Sequence, residues 1–124
     1  MSTSTSSNGK DLKALDDAVN QLILNGKALE AIEKFYDKNV AMQENDDPPT
    51  VGLEANLARE KQLFGSVEQF FGADLLAQGI GDGVTFNEWK YDWKLKGSPR
   101  SVLHEVSERV WKDGKIVQER FFHK

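Results

Sequence analysis

The sequence predicts an α+β domain in which three N-terminal helices pack on an antiparallel sheet. Two observations carry this. From Lys10 to about residue 72, apolar residues recur every three or four positions; beyond that point they alternate. The alternating half is cut by Gly81-Asp82-Gly83, Gly97-Ser98-Pro99 and Lys112-Asp113-Gly114, spaced as the turns of a meander. Helices followed by hairpin-linked strands describe an α+β architecture. The 124 residues suffice for one domain. That domain is expected over 10–124, after a polar, disordered tail at 1–9.

In the first helix Leu12, Leu15, Val19, Leu22 and Ile23 form one apolar stripe, closed by Asn25-Gly26. Leu29, Ile32, Phe35 and Tyr36 give a shorter second helix. The charged residues of both read as solvated outer faces. Val40 to Asn45 alternates and is expected as a short strand, broken by Asp46-Asp47-Pro48-Pro49. Leu53, Leu57, Phe64, Val67 and Phe71 share one face of a third helix that starts near Gly52. Four strands follow: Ala73 to Ile80, Val84 to Leu95, Ser101 to Trp111 and Lys115 to His123.

Composition removes several functional classes. There is no cysteine, which excludes disulfides, thiolate metal sites and thiol nucleophiles. A net charge of −4 argues against nucleic-acid binding. No apolar run is long enough to span a membrane, and the polar N-terminus does not resemble a signal peptide, so a cytoplasmic location is expected. Two histidines, His104 and His123, supply neither a triad nor a metal-ligand set, and no glycine-rich phosphate loop precedes a helix. No metal or cofactor is expected.

Three segments carry a family resemblance. Phe35-Tyr36-Asp37-Lys38-Asn39-Val40-Ala41-Met42-Gln43-Glu44-Asn45 resembles the second helix and first strand of the nuclear transport factor 2-like, or SnoaL-like, superfamily. Pro49-Thr50-Val51-Gly52-Leu53-Glu54-Ala55 is similar to the start of its third helix, and Val110-Trp111-Lys112-Asp113-Gly114-Lys115-Ile116-Val117 to its final hairpin. The resemblance covers roughly residues 10 to 123. It implies a cone-shaped fold whose curved sheet and helices enclose a central pocket. The superfamily includes isomerases, cyclases, dehydratases, epoxide hydrolases and non-enzymes, so it fixes no reaction.

The last hairpin predicts which side chains share a face. A three-residue loop Lys112-Asp113-Gly114 pairs Trp111 with Lys115, which sets Glu105, Ser107, Arg109, Glu119 and Phe121 on one face. The other face carries Val102, Val106, Val110, Ile116 and Phe122. In isomerase-like relatives the pocket base lies eight residues after the tyrosine ending helix two, which corresponds to Glu44 here. The resemblance then turns Met42 and Glu44 inward with the Glu105/Arg109 face and with Trp89, Tyr91 and Trp93. The aliphatic face is left outside, where it suggests a homodimer.

Glu44 is the expected catalytic base, because an aromatic pocket disfavours a carboxylate's charged form. The structural alternative is an ion pair of Glu44 with Arg109. Arg109 with Glu105 and Glu119 is either a catalytic cluster, as in epoxide hydrolases of this superfamily that activate water, or a buried structural network. Met42, Trp89, Tyr91, Trp93, Ser107 and Phe121 are expected to bind the ligand, a small hydrophobic molecule. The first helix has no tyrosine where the isomerase oxyanion tyrosine would fall, near Val19, so steroid isomerisation is not expected. The leading expectation is acid–base catalysis of isomerase, cyclase or lyase type. The alternative is a non-catalytic ligand-binding or dimerisation module.

Overall fold

A computed structural model describes the chain from Gly9 to Lys124. The expected tail lies outside the described residues, apart from Gly9, which opens the first helix. The elements are α1 (Gly9–Leu24), α2 (Ala28–Phe35), β1 (Tyr36–Glu44), β2 (Thr50–Val51), α3 (Leu53–Gly65), β3 (Val67–Ile80), β4 (Val84–Leu95), β5 (Arg100–Lys112) and β6 (Lys115–Phe122). Three helices lie on one six-stranded sheet of order β2-β1-β6-β5-β4-β3. No described helix is long and apolar enough to cross a membrane.

Helix α1 stops where Asn25-Gly26 predicts. Gly26 takes a left-handed φ of 76° and Lys27 N donates to Leu22 O at 2.7 Å, a 6→1 closure. The core lies between helices and sheet and contains Leu12, Val19, Ile32, Tyr36, Val40, Met42, Trp111 and Ile116.

The structure corrects the sequence reading in four places. First, α3 ends at Gly65. Ser66 caps it, its hydroxyl donating to Leu63 O at 2.6 Å, so Val67 and Phe71 belong to β3 and not to the helix. Strand β3 carries three extra residues, Glu68, Phe71 and Leu76, at shifts in its pairing with β4. Each reverses the alternation, which is why the segment does not read with period two.

Second, the sheet is not wholly antiparallel. β1 runs parallel to β6, pairing Met42 with Glu119 and Glu44 with Phe121. Third, the last hairpin has a two-residue turn, Asp113-Gly114, with Lys112 opposite Lys115. Both turn residues have positive φ, 51° and 78°, as a type I′ turn requires.

Such a turn alone would put Arg109 and Glu119 on opposite faces. The pairing steps from Trp111↔Ile116 to Val110↔Gln118, so Val117 is an extra residue that restores the parity. Arg109 therefore pairs with Glu119, and Ser107 with Phe121. Fourth, the two-residue turn sets Ile116 opposite Trp111 and so turns it inward. It is fully buried against Trp111 and does not belong to the outer aliphatic face.

Candidate active site

Strand pairing assembles a single inward face. Across β4 and β5, Thr85, Asn87, Trp89, Tyr91 and Trp93 lie opposite Arg109, Ser107, Glu105, Leu103 and Ser101. β6 adds Glu119 and Phe121, and β1 adds Met42 and Glu44. Between this face and α2–α3 lies a cavity of about 690 Å³. Every expected site residue lines it: Met42, Glu44, Trp89, Tyr91, Trp93, Glu105, Ser107, Arg109, Glu119 and Phe121.

The wall is aromatic. Trp89, Tyr91 and Trp93 stack along β4 with centroids 5.7 and 5.5 Å apart and ring planes within 12° of parallel. Residues two apart on a strand project to the same side about 7 Å apart at Cα, and here the side chains lean together into ring contact.

The charged residues divide into two groups. In the deep group, Arg109 donates through Nη1 to Asp16 Oδ1 at 2.7 Å and to Asn20 Oδ1 at 2.8 Å, and through Nε to Glu119 Oε2 at 3.0 Å. The Tyr36 hydroxyl donates to Glu119 Oε1. Asp16 also accepts from Thr85 Oγ1 at 2.7 Å, Asn87 Nδ2 at 3.2 Å and Gln78 Nε2 at 2.8 Å. Trp111 Nε1 donates to Thr85 Oγ1 at 2.9 Å. Asp16, Arg109 and Glu119 are each at most 1 % exposed. Burial works against the Arg109 charge, but Glu119, Tyr36 and Asp16 outweigh it and hold the guanidinium protonated. The Tyr36 phenol is pushed well up by burial and by Glu119.

The second group lies at the end of β1 and β6. Glu44 does not meet Arg109. Its Oε2 is 2.9 Å from Arg59 Nη2 on α3, and its Oε1 accepts from His123 Nε2 at 2.7 Å. His123 Nδ1 lies 2.9 Å from the backbone oxygen of Lys124. Both ring nitrogens thus face oxygen atoms, an arrangement that favours the imidazolium. Those same contacts, with Lys124 and then Glu44, raise its pKa against the effect of burial.

Glu105 completes the group, its carboxylate within 4.8 Å of the polar atoms of Glu44 and His123. Unlike Glu44, it makes no ion pair among the described residues. Burial, then Glu44 and Glu119, push its pKa up to about 8. Glu60 on α3 is pushed up to about 7 by burial, against the pull of Arg59. The spacing of Glu44, Glu105 and His123 alone would admit a metal ion. Arg59, however, already pairs with Glu44 at that position.

Asp16, Asn20, Tyr36, Arg59 and Glu60 were not among the expected site residues, and Asp16 is not on a solvated face. One signal was present. Asp16 and Asn20 sit four apart on the same side of α1 as Leu12 and Val19, where a carboxylate needs a cation. Ser107 is buried, and its hydroxyl has no hydrogen-bond partner among the described residues.

No family model and no curated protein matches the sequence. Solved structures do match the fold. A candidate SnoaL-like polyketide cyclase from Mesorhizobium loti superposes with a TM-score of 0.78 at 23 % identity, covering 89 % of this chain and 97 % of its own. An NTF2-like protein of unknown function from Burkholderia pseudomallei superposes at 0.78, with 8 % identity and coverages of 90 % and 89 %. The chain has the SnoaL-like, NTF2-like fold. A third protein of similar fold, a candidate hydroxylase from Streptomyces galilaeus, superposes at 0.77 with 12 % identity and coverages of 94 % and 91 %. One NTF2-like scaffold thus carries proteins named for different chemistries, so function has to be argued from the cavity's own residues.

Proposed function

We propose that this NTF2-like chain binds a small, mainly hydrophobic molecule in the cavity and performs acid–base chemistry on it, of isomerase, cyclase or lyase type. The observation that carries this reading is the pair Glu44 and Glu105. The two carboxyl groups lie within 4.8 Å of one another in opposite surroundings. Glu44 is held between two cations, Arg59 and His123. Glu105 makes no ion pair among the described residues and stands beside Trp89, its neighbour across the strands. Carboxyl groups separated in this way divide the roles of base and acid between them. Glu44 is the base, and Glu105 the proton donor at neutral pH. Trp89, Tyr91, Trp93, Met42 and Phe121 hold the apolar body, with Ser107 as a polar contact. The name of the M. loti neighbour agrees with this class of chemistry.

Arg109, Asp16 and Glu119 we read as structural. Their hydrogen bonds are made within the protein and sealed from water, whereas water activation needs a reachable carboxylate.

Carboxyl-carbon NMR tests the assignment. Glu105 should titrate near 8 and respond to an apolar ring compound added to the protein. In Glu44→Gln the Glu105 midpoint should fall, because a neighbouring negative charge is removed. A midpoint near the ordinary 4.5 would remove Glu105 from the mechanism.

A further inference from the structure

The cavity carries more negative than positive groups. Six glutamates line it, against Lys27, Arg109 and His123. Arg109 is consumed by Asp16 and Glu119, and His123 by Glu44. Arg59, beside the cavity, is consumed by Glu44 and lies 3.6 Å from Glu60. Around Glu105 stand Tyr91 from β4, Glu44 from β1, Glu60 from α3, Glu119 from β6 and His123 just beyond it. The position next to Glu105 is therefore short of one positive charge.

Two further features point to what would fill it. Trp89 is the cross-strand neighbour of Glu105, and Tyr91 stacks on Trp89, so ring surface and carboxyl group adjoin. Ring faces attract organic cations, most strongly where water is excluded. Ser107, two residues further along β5 on the same face, lines the cavity with a buried hydroxyl that has no partner among the described residues. Glu105 and Ser107 are about 7 Å apart at Cα, and the Glu105 side chain is long enough to lean toward Ser107, so that one small donor seated between them can reach both acceptors.

We propose that the ligand is an organic cation: an apolar ring lying along Trp89, Tyr91 and Trp93, bearing a protonated amine seated between Glu105 and Ser107. This rests on the reading of the cavity as the ligand site and adds the charge of the ligand. The amine supplies the missing cation. Glu105 then gives up its proton to solvent as the amine binds, so binding near neutral pH releases protons. In that complex Glu105 is the counter-ion of the amine, and its proton-donor role is confined to ligands without the amine. Carboxylate and phosphate ligands are rejected by the same surplus of glutamates.

Three probes sharing one ring decide it: naphthylmethylamine, naphthylmethanol and naphthoate. Each is titrated into the full chain, followed by tryptophan fluorescence and by calorimetry in buffers of different ionisation enthalpy. The amine should bind roughly tenfold or more tighter than the alcohol, with naphthoate weakest. Only the amine should release protons. Glu105→Gln should bring the amine down to the alcohol's level. Equal binding of amine and alcohol, or a preference for naphthoate, overturns the cationic ligand while leaving the cavity as a ligand site. Binding of none of the three to the folded chain overturns both. The ranking on the unaltered protein decides the question even if Glu105→Gln fails to fold.

Discussion

Glu105 gains most of its character from what is not beside it. Its pKa is about 8 in the folded chain against 4.5 for an ordinary glutamate. The folded state therefore holds a proton that the unfolded chain has lost across that interval. Stability falls as pH rises from about 4.5 to about 8, and the cost is fully present above it. Glu60, pushed up to about 7, acts with the same sign. His123 does as well: its raised pKa contributes stability that is complete below 6.5 and lost as pH rises through the folded value. Thermal midpoints measured between about pH 5 and about pH 9 should therefore decline. Glu105→Gln should flatten that decline and melt higher than the wild type at the alkaline end. A variant with an unchanged slope would show that another group sets the pH dependence.

Among the elements, the β5–β6 hairpin decides whether the cavity has its polar residues at all. The turn Asp113-Gly114 and the extra residue Val117 each shift parity by one, and together they return Arg109 and Glu119 to one face. A three-residue loop without a bulge gives the same parity, so the inward set Glu105, Ser107, Arg109, Glu119 and Phe121 was legible although the register was not. Ile116 lies between turn and bulge, where the two descriptions differ. The strand alternation of Val40, Met42 and Glu44 was legible as well. The start of β3 was not, because Glu68, Phe71 and Leu76 interrupt its alternation, and neither was the role of Asp16, whose partners other than Asn20 lie 62 or more residues away. Gly114 has a φ of 78°, so Gly114→Ala forces a side chain into the left-handed region. Urea denaturation should show a loss of about 1–2 kcal/mol. A neutral result would mean that the turn has relaxed to another type.

At the scale of the whole molecule, the outer face of the sheet remains uncovered. Phe86, Val102, Val106 and Phe122 are each at least 36 % exposed, and Val106 pairs directly with Phe122. We propose that a second copy covers this face, with Ile116 removed from the expected contact set. Sedimentation at micromolar concentration should report about twice the chain's 13.9 kDa. Val106→Lys should return the monomer without disturbing the cavity on the opposite face. A monomeric wild type would leave the patch without this role.

The buried trio of Asp16, Arg109 and Glu119 also constrains how this sequence can drift. An apolar replacement of the whole set could pack as well as the ionic one, and buried ion pairs exchanged wholesale for hydrophobic residues are often neutral or stabilising. No single substitution leads there. Losing Arg109 strands two carboxylates, and losing either carboxylate disturbs the charge balance around Arg109, all sealed from water. The network is thus a local optimum in sequence space, surrounded on every side by one-step losses. Thr85, Asn87, Gln78 and Asn20, which solvate Asp16, are held by the same logic. The apolar wall of the cavity has no buried charge to strand, so a change at Tyr91 or Trp93 costs packing and not an unpaired ion. Ligand preference in this scaffold can therefore diverge quickly while the polar pillar beneath it stays fixed.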